Sequence, residues 1–188
     1  MKPLKQLTLK TQRIYLRPIN KSDLEDFYDI ASIPELSASI AWPKVQNIQD
    51  AKNLLDDFLH NTTFVIELNT THKVIGILQV DDIVPVLKHH PALLNKKGCT
   101  LSFALHSEFQ RQGIITETLQ SFIDVLFHQY AFDYVNCGYF DFNEASKKVQ
   151  EKLGFQFLLV HQVQLNHVTI DVLENICWNP KYKNDPLK

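Results

Sequence analysis

The chain has 188 residues, 45% of them hydrophobic and 21% charged, with 19 lysines and arginines against 21 aspartates and glutamates. That length fits one domain with a sizeable core, and the composition is that of an ordinary globular protein. The near balance of charge excludes a strongly basic surface, so nucleic acid is not expected as a partner. The first residues, Met-Lys-Pro-Leu-Lys-Gln, lack an apolar signal region, and no apolar run reaches membrane length. No membrane association is therefore expected, and the cytoplasm is the expected location. Cys99, Cys137 and Cys177 lie far apart without C-x-x-C spacing and read as reduced core thiols. With no repeat or linker to divide the chain, residues 1–178 are expected to form a single domain and residues 179–188 a polar tail that frays.

Taken in order, Leu7, Leu9, Ile14, Leu16 and Ile19 alternate with polar neighbours as in a first strand. Ser22-Asp-Leu-Glu25 has the spacing of a capping box, and Leu24, Phe27, Tyr28 and Ala31 follow as the apolar stripe of a helix that Pro34 ends. Asn47 caps a second helix with Ala51, Leu54, Leu55, Phe58 and Leu59 on one face. Residues 64–68 and 74–80 read as strands joined by a turn at 69–72, with Gly76 marking a bulge or a close backbone approach. Residues 81–97 form a long loop interrupted by Pro85 and Pro91. Its Lys88-His89-His90 lacks a third ligand at metal spacing, so no metal is expected. A strand at 98–105, a helix at 116–130, a strand at 134–140, a helix from Asn143 or Glu144 to Gly154, and a hairpin of 155–165 with 167–178 complete the chain. Strand, helix, strand in that order makes two parallel neighbours.

Two stretches carry chemistry. The first is Ser107-Glu-Phe-Gln-Arg-Gln-Gly-Ile-Ile-Thr-Glu117, a polar loop with one glycine between a strand and a helix. The first turn of a helix has N–H groups without intrahelical acceptors and a partial positive charge, and Gly113 permits close approach of an anion. By itself such a loop is more often an ordinary turn, and neither an ATP loop nor a dinucleotide fingerprint is present. The second stretch is Asn143-Glu-Ala-Ser146-Lys-Lys-Val-Gln-Glu-Lys152-Leu-Gly154-Phe155.

Together, in this order and spacing, the two stretches resemble the GCN5-related N-acetyltransferase (GNAT) superfamily, and within it the branch that acetylates ribosomal-protein N-termini. That family's Gln/Arg-x-x-Gly-x-Gly/Ala loop is matched at Gln110, Arg111, Gln112, Gly113, Ile114 and Ile115, and the branch's continuation at Thr116-Glu117-Thr118. The branch's Asn-x-x-Ser…Glu-Lys-Leu-Gly-Phe is matched from Asn143 to Phe155, and its opening at Thr11-Gln-Arg13-Ile-Tyr-Leu16-Arg17-Pro18 followed by Asp23. The resemblance implies the acyl-CoA N-acyltransferase fold, an α/β (α+β) architecture. Its mixed, mostly antiparallel sheet has a splayed central parallel strand pair and flanking helices. It implies acetyl-CoA as cofactor, bound by the loop residues with Thr116, Asn143, Ser146 and Lys152, while backbone near Phe103 and Leu105 serves the oxyanion. It implies a primary amine as acceptor, with Trp42 on the acceptor side if it is not simple core filling, and a monomer or homodimer. Ile115 departs from the family's small residue and could crowd the diphosphate unless it points into the core. Gln150 stands where many members have an acidic tyrosine, which leaves Ser146 as the group beside the cofactor sulfur.

Acetyl transfer from a thioester to an amine needs a neutral amine, a donor for the oxyanion and help for the leaving thiolate. Asp82, His106, Glu108 and Asp141 are candidate bases, though each also reads as a surface residue. An α-amino group costs about 1 kcal/mol to neutralise at pH 7 and a lysine amine about 4–5, so a site without an evident base suits the α-amine. Two other classes stay open. One is a non-catalytic acyl-CoA-binding or regulatory module, consistent with Gln150 and Ile115. The other is a nucleic-acid-binding α/β domain, which would show binding that weakens steeply with salt.

Overall fold

The alternating apolar residues at the start of the chain form two strands, not the one expected. In the computed structural model, which describes residues 3–82, 90, 93–165 and 167–182, β1 (Leu9–Lys10) and β2 (Ile14–Pro18) pair antiparallel. The reversal between them is tied by Thr11, whose amide donates to the Ile14 carbonyl and whose Oγ1 accepts from the Ile14 amide. Two compact units follow from the contacts, Met1–Val80 with Ser102–Ser121 and Asp81–Leu101 with Phe122–Lys188.

In the first unit, β2 pairs antiparallel with β3 (Thr62–Leu68), and β3 with β4 (Val74–Asp81). The register shifts between Ile66 and Glu67, opposite Gly76 and Val74, so the expected irregularity is present. A methyl on Gly76 would lie 2.6 Å from the Ala104 carbonyl oxygen, so the close backbone approach is present too. The helices α1 (Leu24–Ala31) and α3 (Ile48–His60) bury the stripes read from their spacing: Phe27 and Ala31, then Ala51, Leu54, Leu55 and Phe58. Burying each large apolar side chain stabilises the fold by about 1.5–3 kcal/mol. Asn47 caps α3 as expected, its Oδ1 accepting from the amides of Gln49 and Asp50.

Two local expectations shift. The capping box belongs to Asn20 and Asp23, around a 3₁₀ turn Lys21–Asp23, and not to Ser22 and Glu25. Its carboxylate is drawn inward by Arg17, which donates to both Asp23 oxygens at 2.8 and 2.9 Å. Pro34 does not merely end α1 but opens a short helix, α2 (Pro34–Ser39), at a first-turn position where a missing N–H costs nothing.

In the second unit, the opening residues of β5 (Gly98–Leu105, of which 98–101 belong to this unit) run parallel to β6 (Tyr134–Phe140), with Gly98, Cys99 and Thr100 opposite Tyr134, Val135 and Asn136. β8 (Val168–Trp178) pairs antiparallel with β6 on one side and with β7 (Gln156–Leu165) on the other. Between β5 and β6 in the chain comes α4 (Ile114–His128), whose residues 114–121 belong to the first unit and 122–128 to the second, and which starts and stops two residues earlier than expected. Between β6 and β7 lies α5 (Glu144–Lys152), followed by Gly154 at φ +75°. Residues 179–182 do not fray. The Asn179 side chain donates to the Phe132 carbonyl at 2.9 Å, and Tyr182 and Lys181 bond Asp133 at 2.8 and 2.7 Å. The expectations for Lys88, His89 and residues 183–188 lie outside the described residues.

Arg17 also donates through Nε to Glu67 at 2.7 Å, and the other Glu67 oxygen is 2.7 Å from His72 Nδ1. Burial works to raise the Glu67 carboxyl, but the bonds from His72 and Arg17 outweigh it and hold it below its ordinary value. A carboxyl lower in the folded than in the unfolded state stabilises above its unfolded pKa, near 4.3. That stabilisation is lost as pH falls through the folded value. Glu67→Gln is expected to cost about 1.5–3 kcal/mol at neutral pH and to make the acid limb of stability shallower, as read by urea unfolding at a series of pH values.

Candidate active site

After β5 ends at Leu105, a 3₁₀ turn (Ser107–Phe109) leads into the loop, with His106 Nδ1 accepting from the Glu108 amide at 3.3 Å. Gln110 Nε2 donates to the Leu105 carbonyl and Gln112 Nε2 to the Glu108 carbonyl, each at 2.9 Å. Both glutamines thus fold back on their own backbone and set the loop's shape. Arg111 at φ +59° and Gly113 at φ +76° are left-handed, and α4 begins at the next residue, the buried Ile114. The amides of Arg111, Gln112, Gly113, Ile114, Ile115 and Thr116 donate to no group among the described residues; a helix N-terminus dictates this for Gly113 to Thr116, while Arg111 and Gln112 belong to the loop before it. A methyl on Gly113 would meet within 4 Å only Arg13 Nη2, at 3.6 Å, so one face of the loop lies open. Ile115 and Thr116 are half-buried in the first turn of α4.

Arg13, in the turn between β1 and β2, braces this loop. Its Nη1 donates to the Gln112 carbonyl at 2.7 Å and its Nε to Glu117 Oε2 at 2.6 Å. Glu117 Oε1 also accepts from Thr11 Oγ1 and from the Arg13 amide. Partial burial pushes the Glu117 carboxyl up, but the bonds from Thr11 and Arg13 prevail and hold it below its ordinary value. The sequence names Thr11, Arg13 and Glu117 only as parts of family motifs. That they touch is invisible there, because more than a hundred positions separate them.

On the second unit, Asn143 caps α5 through Oδ1, which accepts from the Ser146 amide at 3.0 Å. Ser146 is 7% exposed and its Oγ accepts from Gln150 Nε2 at 3.1 Å. Gln150, 1% exposed, takes a bond on Oε1 from Asn175 Nδ2 at 2.8 Å. Lys152 is exposed in the last turn of α5. Asn136, Glu174 and Asn175 are polar strand residues buried here, and no motif in the sequence marks them. Their only sequence signal is a polar residue interrupting an apolar run, as at Tyr134-Val-Asn136-Cys137.

Other singled-out residues fall as follows. Phe103 is half-buried and Leu105 buried on β5. Trp42 packs with Phe27 and Phe58, ring centroids 5.9 and 5.3 Å away, on the helical core of the first unit. Asp82, Glu108 and Asp141 are exposed. Burial raises the Cys99 thiol to about 12 and the Cys177 thiol to about 11, and pushes Cys137 up as well, so none is a thiolate nucleophile at neutral pH. Among the described residues no cluster of His, Cys, Asp or Glu is arranged to hold a metal, and no helix is long and apolar enough to cross a membrane.

Residues 13–156 match the family model described as an acetyltransferase (GNAT) domain. No curated protein matches the chain. Among solved structures, the chain is similar to a GNAT-family acetyltransferase from Bacillus anthracis, with 14% identity, TM-score 0.80, and 92% of this chain and 99% of that one covered. It is similar to a ribosomal-protein-S5-alanine acetyltransferase from Vibrio fischeri, with 19% identity, TM-score 0.74, and coverage of 94% and 98%. It is also similar to RimL, a ribosomal-protein α-N-acetyltransferase in complex with coenzyme A, with 18% identity, TM-score 0.74, and coverage of 92% and 98%. At these identities the likeness establishes the fold: the acyl-CoA N-acyltransferase architecture with its parallel β5–β6 pair.

The left-handed backbone at Gly113 sets a stability test. Gly113→Ala is expected to lower unfolding stability by about 1–2 kcal/mol in urea denaturation, and Gly113→Asn by less, since asparagine tolerates that conformation.

Proposed function

The chain belongs to the GNAT acetyltransferase family, whose acyl donor is acetyl-CoA, and we propose that it moves the acetyl group to a primary amine by direct attack within a ternary complex. The acceptor is a protein N-terminal α-amine or the amine of a small molecule. The observation that carries this reading is the loop at residues 110–116, with consecutive unengaged amides, a left-handed glycine and a helix N-terminus. That donor set fits a diphosphate, because it offers several N–H groups and the positive end of a helix dipole to one anion.

The residue roles follow. The amides from Arg111 to Thr116 hold the diphosphate, and Gly113 lets it come close. Gln110 and Gln112 keep the loop in shape, Ile115 faces away from the anion, and Lys152 adds charge for the nucleotide. Asn143 bonds the pantetheine arm, and backbone N–H groups near Phe103 and Leu105 meet the carbonyl oxygen as charge develops there. Bound acetyl-CoA supplies an acetyl group on a thioester, whose sulfur departs as a thiolate. Ser146 donates a hydrogen bond to that sulfur and keeps its own proton; the amine gives up the proton that the thiolate takes. The exposed edge of Trp42 borders the acceptor. An α-amine suits this equipment best, since it needs about 1 kcal/mol to be neutral at pH 7 where a lysine amine needs about 4–5.

Release of free thiol from acetyl-CoA, measured with a panel of peptides and small amines, tests the reading. Transfer to peptide α-amines is expected to exceed transfer to lysine side chains at pH 7. Ser146→Ala is expected to lower kcat about 10- to 150-fold, the value of one hydrogen bond to a charged group, with coenzyme A affinity unchanged by calorimetry. Folded protein that releases no thiol with any acceptor overturns the proposal; binding without release indicates a non-catalytic acyl-CoA module instead.

A further inference from the structure

Ser146 ends a buried chain of hydrogen bonds that the family motif does not contain, made by side chains from Ser146 to Asn175 and continued to Asn136 and Glu174 through the Asn175 main-chain carbonyl. At its far end Glu174, 3% exposed, accepts from Asn136 Nδ2 at 3.0 Å and is 3.0 Å from His161 Nε2. Asn136 Nδ2 gives its other hydrogen to the Asn175 carbonyl at 2.9 Å, and Asn136 Oδ1 accepts from Thr100 Oγ1 at 3.2 Å. A carboxylate and a carbonyl can only accept, so the Asn136 amide has a single orientation. This holds Asn175 against β6, and the Asn175 side chain donates to Gln150 Oε1. With its oxygen so engaged, Gln150 presents Nε2 to Ser146 Oγ.

An amide NH₂ has no acceptor site. The Ser146 hydroxyl therefore receives a bond from Gln150 and cannot return one, and its single hydrogen must point elsewhere. Among the described residues it donates to none. We propose that Gln150, backed by Asn175, is a positioning residue that turns Ser146 into a one-way donor aimed at an anionic sulfur. The inference rests on the reading that Ser146 faces the coenzyme A sulfur. It gives the residue at the tyrosine position a purpose: it supplies no proton but fixes the direction of a neighbour's.

Gln150→Glu reverses the polarity with almost no change of shape. The ionised carboxylate still accepts from Asn175 and now also accepts from Ser146, drawing the hydroxyl away from the sulfur. Once protonated, it donates to Ser146 as Gln150 does. Among titratable groups on the surrounding strands, Glu174 and His161 lie beyond Asn136, and Cys177 stays a thiol at neutral pH. On α5, Glu144, Lys148, Glu151 and Lys152 are exposed and Lys147 half-buried.

Two readouts test this. The first is the absorbance of the coenzyme A thiolate bound to the protein, titrated with pH and independent of turnover. In the unaltered protein the bound thiol is expected to ionise about one to two pH units lower than in Ser146→Ala. In Gln150→Glu it is expected to match Ser146→Ala. The second is the pH profile of kcat: Gln150→Glu is expected to lose at least tenfold at high pH and to recover as pH falls, with KM for acetyl-CoA within about twofold. In the double variant with Ser146→Ala the new limb is expected to vanish. A profile and thiol titration for Gln150→Glu like those of the unaltered protein, while Ser146→Ala alters both, overturn the orienting role alone. A new limb that persists in the double variant does the same. If Ser146→Ala changes neither readout, or coenzyme A does not bind, this inference falls together with the reading on which it rests.

Discussion

The carboxylate of Glu117 is the point through which the loop at residues 110–116 is held. It stands in the first turn of α4, where a negative charge is favoured by the helix dipole. Thr11 and Arg13 both donate to it, and Arg13 goes on to grip the Gln112 carbonyl. A loop with two left-handed residues in three positions would otherwise sample several shapes, and only one of them lines up its amides. The ion pair is partly exposed, so its contribution to global stability is small. Its consequence is local: the loop's shape is fixed in the folded state, and a ligand of the kind proposed would have less ordering to impose on binding.

The second unit uses the opposite device. Its polar chain from Ser146 to Glu174 is buried, and buried polar groups stabilise only when each is bonded. Gln150, Asn175, Asn136 and Glu174 meet that requirement with one another. An apolar core at the same positions would pack as well but could not orient a hydroxyl. Direction is what a hydrogen-bonded core adds to a packed one, and in this chain the direction ends on Ser146.

These arrangements also bear on the two departures from the family's pattern. Ile115 follows the buried Ile114 in the first turn of α4 and is itself half-buried, and the backbone amides there remain unengaged among the described residues. Gln150 cannot act as an acid, yet it is among the most buried polar residues and is bonded at both ends of its amide.

Periodicity in the chain was enough to place the helices at residues 24–31 and 48–60, the strands at 98–105 and 134–140 and the final hairpin, because each side chain's burial there follows from spacing along one element. Motif order was enough to name the family. Tertiary structure alone decided that Arg17 moves the first cap to Asn20 and Asp23, that Thr11 and Arg13 close on Glu117, and that Asn136, Glu174 and Asn175 stand behind Gln150. Each of these depends on which polar groups meet after distant segments fold together, and a hydrogen bond's partner and direction leave no periodic trace in the residues that make it.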